Sequence, residues 1–217
     1  SANSFMEDGR TFFSPYTVLE KNKIKIGLLG LTTPGIPLWL DKSLYPGIEW
    51  KDMVQASHKF AAELRQKCDL MIGIFHAGFN EGYSKEQSDA AGIPNENASR
   101  LVAEQVPGFD AVLAGHSHSP GPMKIGKENE MIFTDGPALI NAGAHGRNLA
   151  VVKFILRKNT KSGWQVIHKS GWIESMKNVK PSQAILDLTE AYHQTTLDYI
   201  RTKIARSNSA LSTKESR

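Results

Sequence analysis

Three histidines stand directly after two short apolar runs. His76 closes Asp69-Leu70-Met71-Ile72-Gly73-Ile74-Phe75, and His116 and His118 follow Phe109-Asp110-Ala111-Val112-Leu113-Ala114. Short, nearly all-apolar runs of this kind read as strands buried on both faces of an α/β sheet. In open sheets of that class, ligands bind beyond the carboxyl ends of the strands. Neutral imidazole is a good ligand for divalent ions such as zinc, iron, manganese or cobalt. In Gly115-His116-Ser117-His118 the glycine permits a sharp turn off the strand. Alternate residues of an extended loop diverge, which would direct His116 and His118 to two ions, or to two positions on one pair. Ala77-Gly78, after His76, leaves room for backbone close to a metal or a phosphate. One histidine at a strand end is commonly a surface residue, whereas a strand-terminal His together with Gly-His-x-His is a far more specific signal.

The remaining reactive side chains carry less. His145 lies in the small-residue loop Asn141-Ala142-Gly143-Ala144-His145-Gly146-Arg147, which is able to approach the site, and the residues alone leave its role open. His58, His168 and His193 fall inside a helix, a strand and a helix and read as structural. Ser117 lacks a Gly-x-Ser-x-Gly elbow and an obvious acid partner, so a serine nucleophile is not indicated. Cys68 is the single cysteine, which excludes an intrachain disulfide, and its place before a buried strand reads as core packing.

The elements that must position these histidines alternate. Phe12–Leu19 and Ile24–Leu31 read as a hairpin across the polar turn Glu20–Lys23. Thr32–Pro37, with two prolines and a glycine, breaks the chain. A helix is predicted over Trp50–Lys67 because Met53, Ala56, Phe60 and Leu64 recur at three and four residues. After the strand 69–75 come a polar loop from Asn80 to Pro94, a helix over Asn95–Val106 and the strand 109–114. Strands are predicted over Met131–Phe133, Ala138–Ala142, Leu149–Leu156 and Trp164–Trp172. Pro181 opens a long helix to about Ala205, with Ile185, Leu188, Tyr192 and Thr195/Thr196 on one side. This succession indicates an α/β domain whose mixed β-sheets are flanked by helices.

Composition sets the limits. The 217 residues, 40% hydrophobic and 22% charged, suit one globular domain of ordinary size. No run approaches the ~18 apolar residues of a membrane helix, and Ser1-Ala2-Asn3-Ser4 does not begin a signal peptide. The net charge of +4 is unevenly spread. Residues 151–217 hold 12 Lys and Arg against 5 Asp and Glu, and residues 1–150 hold 14 against 17. The basic residues near the carboxyl end are scattered without interleaved aromatics, which reads as a solvated surface rather than a nucleic-acid site.

Three stretches together resemble a known family. Asp69–Gly78, Glu96-Asn97-Ala98 and Val106–His118 are similar to the 5'-nucleotidase-type branch of the calcineurin-like metallophosphoesterases. Ile26–Pro34, Ile36-Pro37-Leu38-Trp39, Ala142–Leu149 and the helix around Tyr192-His193 resemble in particular its bacterial 2',3'-cyclic-nucleotide 2'-phosphodiesterase/3'-nucleotidase subgroup. The resemblance runs from Ala2-Asn3 to about Ser209. It implies a four-layered αββα catalytic domain with two divalent ions (Mn, Zn, Fe or Co), His76 and His116 on one and His118 on the other. It implies in-line hydrolysis of a nucleotide or cyclic-nucleotide phosphoester, and a periplasmic or secreted location.

The family's earlier motifs, Asp-x-His, an isolated Asp and Gly-Asn-His-Asp/Glu, precede the stretch resembling Ala2-Asn3 and do not occur here. They would carry the bridging carboxylate and the general-acid histidine, so no catalytic residue is assigned within this chain. The family's C-terminal nucleotide-binding domain has no counterpart either. The expected layout is therefore the later part of a catalytic domain over 1–180, a linking helix over 181–205 and a loose tail over 206–217. The isolated chain would hydrolyse little without its N-terminal half. A non-catalytic binding module, or a degenerate phosphoesterase scaffold, is the alternative reading. A self-contained three-histidine mononuclear hydrolase is disfavoured because no oriented base or fourth ligand is evident.

Overall fold

In the computed structural model, which describes residues 1–159 and 163–210, the chain divides into two compact units, Ser1–Lys177 and Asn178–Arg217. The first contains β1 (Ser4–Met6), β2 (Tyr16–Lys21), β3 (Ile24–Thr32), β4 (Ile48–Trp50), α1 (Met53–Arg65), β5 (Leu70–His76), α2 (Lys85–Ala90), α3 (Ser99–Gln105), β6 (Ala111–Ala114), β7 (Met131–Ile132), β8 (Ala138–Asn141), β9 (Asn148–Asn159) and β10 (Gly163–Ser175). The second is built on α4 (Gln183–Arg201). The class is the expected one, mixed sheets flanked by helices. A five-stranded sheet has the order β2-β3-β5-β6-β8, a three-stranded sheet the order β7-β10-β9, and β1 pairs with β4. β3, β5, β6 and β8 run parallel, β2 antiparallel at one edge, and the smaller sheets are antiparallel.

One face of the five-stranded sheet is closed by helices. Met53, Ala56, Phe60 and Leu64 of α1 are buried against Leu29, Leu31, Met71 and Phe75, as their three- and four-residue spacing requires. α1 starts where the Asp52 carboxylate accepts the Gln55 N–H at 2.9 Å, satisfying one of the donors a helix leaves free. Gly27 lets the helix come close: a Cβ there would lie 2.8 Å from Leu64 Cδ1 and from Cys68 Sγ. Below the helix, Asp110 ties β6 to β5, its carboxylate accepting both Arg65 Nη1 and the Met71 N–H at 2.8 Å.

The opposite face is closed only toward β8. There Ile140 packs with Met123 and with Ile173 of β10, and Gly171 permits the approach, since a Cβ would fall 2.5 Å from Ile140 Cδ1. Farther across, the register places Leu19, Ile26, Leu28, Ile72, Ile74 and Leu113 on the same face. Ile74, in the middle strand of the sheet, is 48% exposed and Leu19 52%.

Several boundaries differ from the sequence reading, each for a local reason. β2 begins at Tyr16 rather than Phe12, because Pro15 has no N–H to donate to a ladder. The predicted first helix starts at Met53, and Ile48–Trp50 instead forms β4 against β1. The loop 80–94 contains α2, which carries a Lys85–Asp89 ion pair one turn apart. The helix expected from Asn95 starts only at Ser99, because Asn95 Oδ1 accepts the Asn97 N–H in a local turn, while the two amides donate to Glu81 O and Tyr83 O of the preceding loop. β9 and β10 outrun their predicted spans and pair over nearly their whole length, with one bulge between Val166 and His168.

α4 is amphipathic but buries none of its residues; Ile185, Leu188 and Tyr192 are all exposed. Of the predicted tail, residues 211–217 lie outside the described residues. Among the described residues, no helix is long and apolar enough to cross a membrane.

The uneven burial of the sheet gives a direct test. Ile74→Ser should lower the fluorescence of the apolar dye ANS bound to the chain while shifting urea stability by no more than about 0.5 kcal/mol. Ile140→Ser, in the closed part, should cost about 3 kcal/mol or more. Equal stability losses at the two positions would contradict the asymmetry.

Candidate metal centre

β5 and β6 end side by side, with Phe75 opposite Ala114, and β8 ends beside them, with Ala114 opposite Asn141. His76, the loop 115–118 and the loop 142–147 therefore leave the sheet at one edge. His76 is the last residue of β5 and lies on the face away from α1, since Phe75 points into the helix-side core. Its ring meets His116, with centroids 5.3 Å apart and planes at 62°. His118 meets His145 instead, with centroids 5.4 Å apart and planes at 60°. The three sequence-predicted histidines thus divide, and His145, whose role the sequence left open, supplies the partner that His118 lacks. Among the described residues no three His, Cys, Asp or Glu side chains converge on one point.

The loop geometry differs from the extended one expected. His116 and His118 both take positive φ, 68° and 57°, and His145 does so at 61°. The Gly115-His116-Ser117 turn is closed by the Ser117 N–H donating to Gly115 O at 2.8 Å. Gly115 itself does not have positive φ, so the histidines, not the glycine, carry the unusual backbone. Among the described residues, the other non-glycine positions of this kind are Asn22 and Lys23, in the β2–β3 hairpin turn, and Ser84. Ser84 lines the same cleft as His116 and His118. Left-handed backbone costs a non-glycine residue of order 1 kcal/mol or more. Apart from the hairpin, that cost is concentrated here.

Buried amides hold the loops in place. Asn141, fully buried at the end of β8, donates through Nδ2 to Gly115 O at 3.2 Å and to Ser117 Oγ at 3.0 Å. Its Oδ1 accepts the Gly143 N–H at 2.8 Å, so one side chain spans the two loops that bear His118 and His145. Asn97, also buried, accepts the Gly78 N–H at 3.1 Å. A Cβ on Gly78 would lie 2.3 Å from Asn97 Oδ1. The space at Ala77-Gly78 is therefore filled by Asn97 rather than left for a metal or phosphate. Asn97 Nδ2 also donates to the buried Glu96 carboxylate at 2.9 Å, and the Ser84 hydroxyl donates to that same carboxylate.

Trp39, Tyr83, Ser84, Glu96, Asn97, His116 and His118 border an open cleft of about 320 Å³. Trp39 packs on His116 with centroids 5.2 Å apart. Burial holds the His116 imidazole below its ordinary pKa, with smaller downward contributions from His76 and His118, while Glu96 acts in the opposite direction. An imidazole held in its neutral form keeps a lone pair for a cation.

Glu96, Asn97, Asn141 and Trp39 are site residues the sequence reading did not assign. Glu96, Asn97 and Trp39 fell within segments of family resemblance, and Asn141 had no signal beyond its place at a strand end.

No family model matches the chain. The fold is that of the calcineurin-like phosphoesterases: the crystal structure of the calcineurin-like phosphoesterase YfkN from Bacillus subtilis superimposes with a TM-score of 0.76 at 24% identity, over 93% of this chain and 63% of that one. In sequence, the chain's relatives are nucleotide phosphoesterases. It is 25% identical over 223 residues to the trifunctional nucleotide phosphoesterase protein YfkN of Bacillus subtilis, covering 95% of this chain and 15% of that protein. It is 25% identical over 222 residues to a 2',3'-cyclic-nucleotide 2'-phosphodiesterase/3'-nucleotidase of Haemophilus influenzae, covering 90% and 32%. It is 24% identical over 230 residues to a 5'-nucleotidase of Vibrio cholerae, covering 94% and 40%. The chain thus spans less than half the length of each of these relatives.

Two measurements check the geometry. Asn141→Ala should cost about 1–3 kcal/mol in urea unfolding, because it orphans buried groups on both loops, and should shift the NMR ring signals of His116, His118 and His145 together. With a chelator present, stability should fall as pH drops below the ordinary histidine value of about 6.5. The sign follows from the depressed pKa of His116: the unfolded chain takes up the proton first, so acid favours unfolding. His116→Gln should flatten that slope; an unchanged slope would place its origin elsewhere.

Proposed function

We propose that this chain forms part of a metal-dependent phosphoesterase acting on nucleotides, of the 5'-nucleotidase or 2',3'-cyclic-nucleotide phosphodiesterase type. In this reading His76 and His116 hold one divalent ion and His118 belongs to the second. The observation that carries it is the pairing of His76 with His116, 5.3 Å apart, beyond the ends of adjacent parallel strands. Imidazole nitrogens bind such ions at about 2 Å, which sets two rings sharing one tetrahedral ion about 5 Å apart, centroid to centroid. The donor set fits: borderline nitrogen ligands suit Mn, Zn, Fe or Co. The names of the relatives support nucleotide phosphoesters as the substrate class.

When bound, two divalent cations supply positive charge to polarise a phosphoester and to ease loss of a proton from water. The residues of this chain orient that chemistry. Burial favours the neutral form of His116, and Trp39 packs against its ring. Asn141 fixes the loop that presents His116 and His118. Glu96, held by Ser84 and Asn97, places a carboxylate on the cleft wall facing the histidines. The bridging carboxylate and the general acid are assigned to a segment outside these residues, and a periplasmic or secreted setting accompanies the reading.

A binding module is the second reading, favoured by one observation: among the described residues no carboxylate completes either histidine pair. The two readings separate on activity. The 217-residue chain with Mn²⁺ should turn over bis-(p-nitrophenyl) phosphate barely above background. In a longer gene product carrying this segment, His116→Ala should lower hydrolysis at least about a hundredfold, the scale of losing one preorganised electrostatic group. Undiminished activity of that variant would overturn the ligand assignment, and an inactive longer product would favour the binding module.

A further inference from the structure

His145 stands outside the ligand set drawn from sequence, yet four features of its loop point toward the site. Its ring lies 5.4 Å from that of His118 at 60°, nearly reproducing the 5.3 Å and 62° of His76 and His116. Its backbone sits at φ 61°, between Gly143 at 90° and Gly146 at 64°. A histidine therefore occupies a left-handed position that glycine would fill without cost. The loop is anchored at both ends: Asn141 Oδ1 accepts the Gly143 N–H at 2.8 Å, and Asn148 Nδ2 donates to Ala142 O at 2.9 Å. Through its Nδ2, the same Asn141 holds Gly115 and Ser117, so the backbones beside His118 and His145 share one buried fastening.

We propose that His145 and His118 together bind the second divalent cation, as His76 and His116 bind the first. The proposal deepens the metal-dependent reading and rests on it. Contact between two exposed rings stabilises little by itself and does not account for left-handed backbone at both residues. A shared cation does, since preorganised ligand pairs avoid the ordering cost at the moment of binding. The separation matches the roughly 5 Å expected for two imidazoles on one tetrahedral ion. Neither ring hydrogen-bonds a described residue, so a nitrogen on each is free to coordinate. The ligand class is a borderline divalent ion, with its remaining positions left for oxygen donors of the substrate or of another part of the protein.

Zinc titration of the full 217-residue chain, followed through the NMR signals of the histidine rings, tests this. The signals of His118 and His145 should move together with one midpoint. Those of His58, His168 and His193, on α1, β10 and α4, serve as internal references. His145→Gly suits the left-handed backbone and an exposed position, so it should fold, as judged by unchanged signals of Val112 and Ile140. It should raise the His118 midpoint at least about tenfold, since losing even an outer partner of a metal ligand commonly costs that much. The His76 and His116 midpoint should stay within about twofold.

Ring signals of His145 that stay with the reference histidines would overturn the proposal, as would an unchanged His118 midpoint in His145→Gly. If His118 and His145 respond while His76 and His116 do not, the pair stands and the first site falls. If no ring responds, both fall.

Discussion

Parallel pairing of β3, β5, β6 and β8 is the constraint from which the rest of the site follows. In a parallel sheet every carboxyl end opens on the same edge, so His76, the 115–118 loop and Asn141 meet although far apart in sequence. The register matters as much as the direction. Thr32 lies opposite His76, Phe75 opposite Ala114 and Ala114 opposite Asn141. A slip of one residue in β5 would turn His76 to the helix side and Phe75 out of the core. Burial of Met71 and Phe75 against α1 therefore selects the face on which His76 emerges.

The edge of the sheet holds strained backbone, and buried amides hold that strain in place. His116, His118 and His145 sit in left-handed conformations that histidine adopts at a cost. Asn141 and Asn97 offset it by satisfying two backbone groups each from buried positions, where an unmade hydrogen bond would be expensive. Two short amides thus fasten the loops that border the histidines.

The body of the chain is unequally closed. Helices cover one face of the main sheet over β3, β5 and β6, whereas β10 reaches only the β8 end of the other, where Gly171 admits Ile140. Leu19, Ile74 and their neighbours carry the apolar character of a sheet interior yet face solvent. The chain spans 15–40% of the length of the three relatives compared.

Much of this was legible from residue order alone. Nearly all-apolar runs at 69–75 and 109–114 marked the central strands, and the spacing of Met53, Ala56, Phe60 and Leu64 marked the helix face, because burial imposes a period on each element. The strand-terminal histidines were visible for the same reason. What sequence could not determine was pairing at a distance. His76 meets His116 while His118 turns to His145, a division set by left-handed backbone at the histidines and by Asn141, not by their spacing. Asn97 fills the space beside Gly78 because its amide finds partners brought together only by folding. Local periodicity follows from the chain's own geometry and is written in it. Contacts across the sheet edge depend on register and turn conformation, and only tertiary structure decides those.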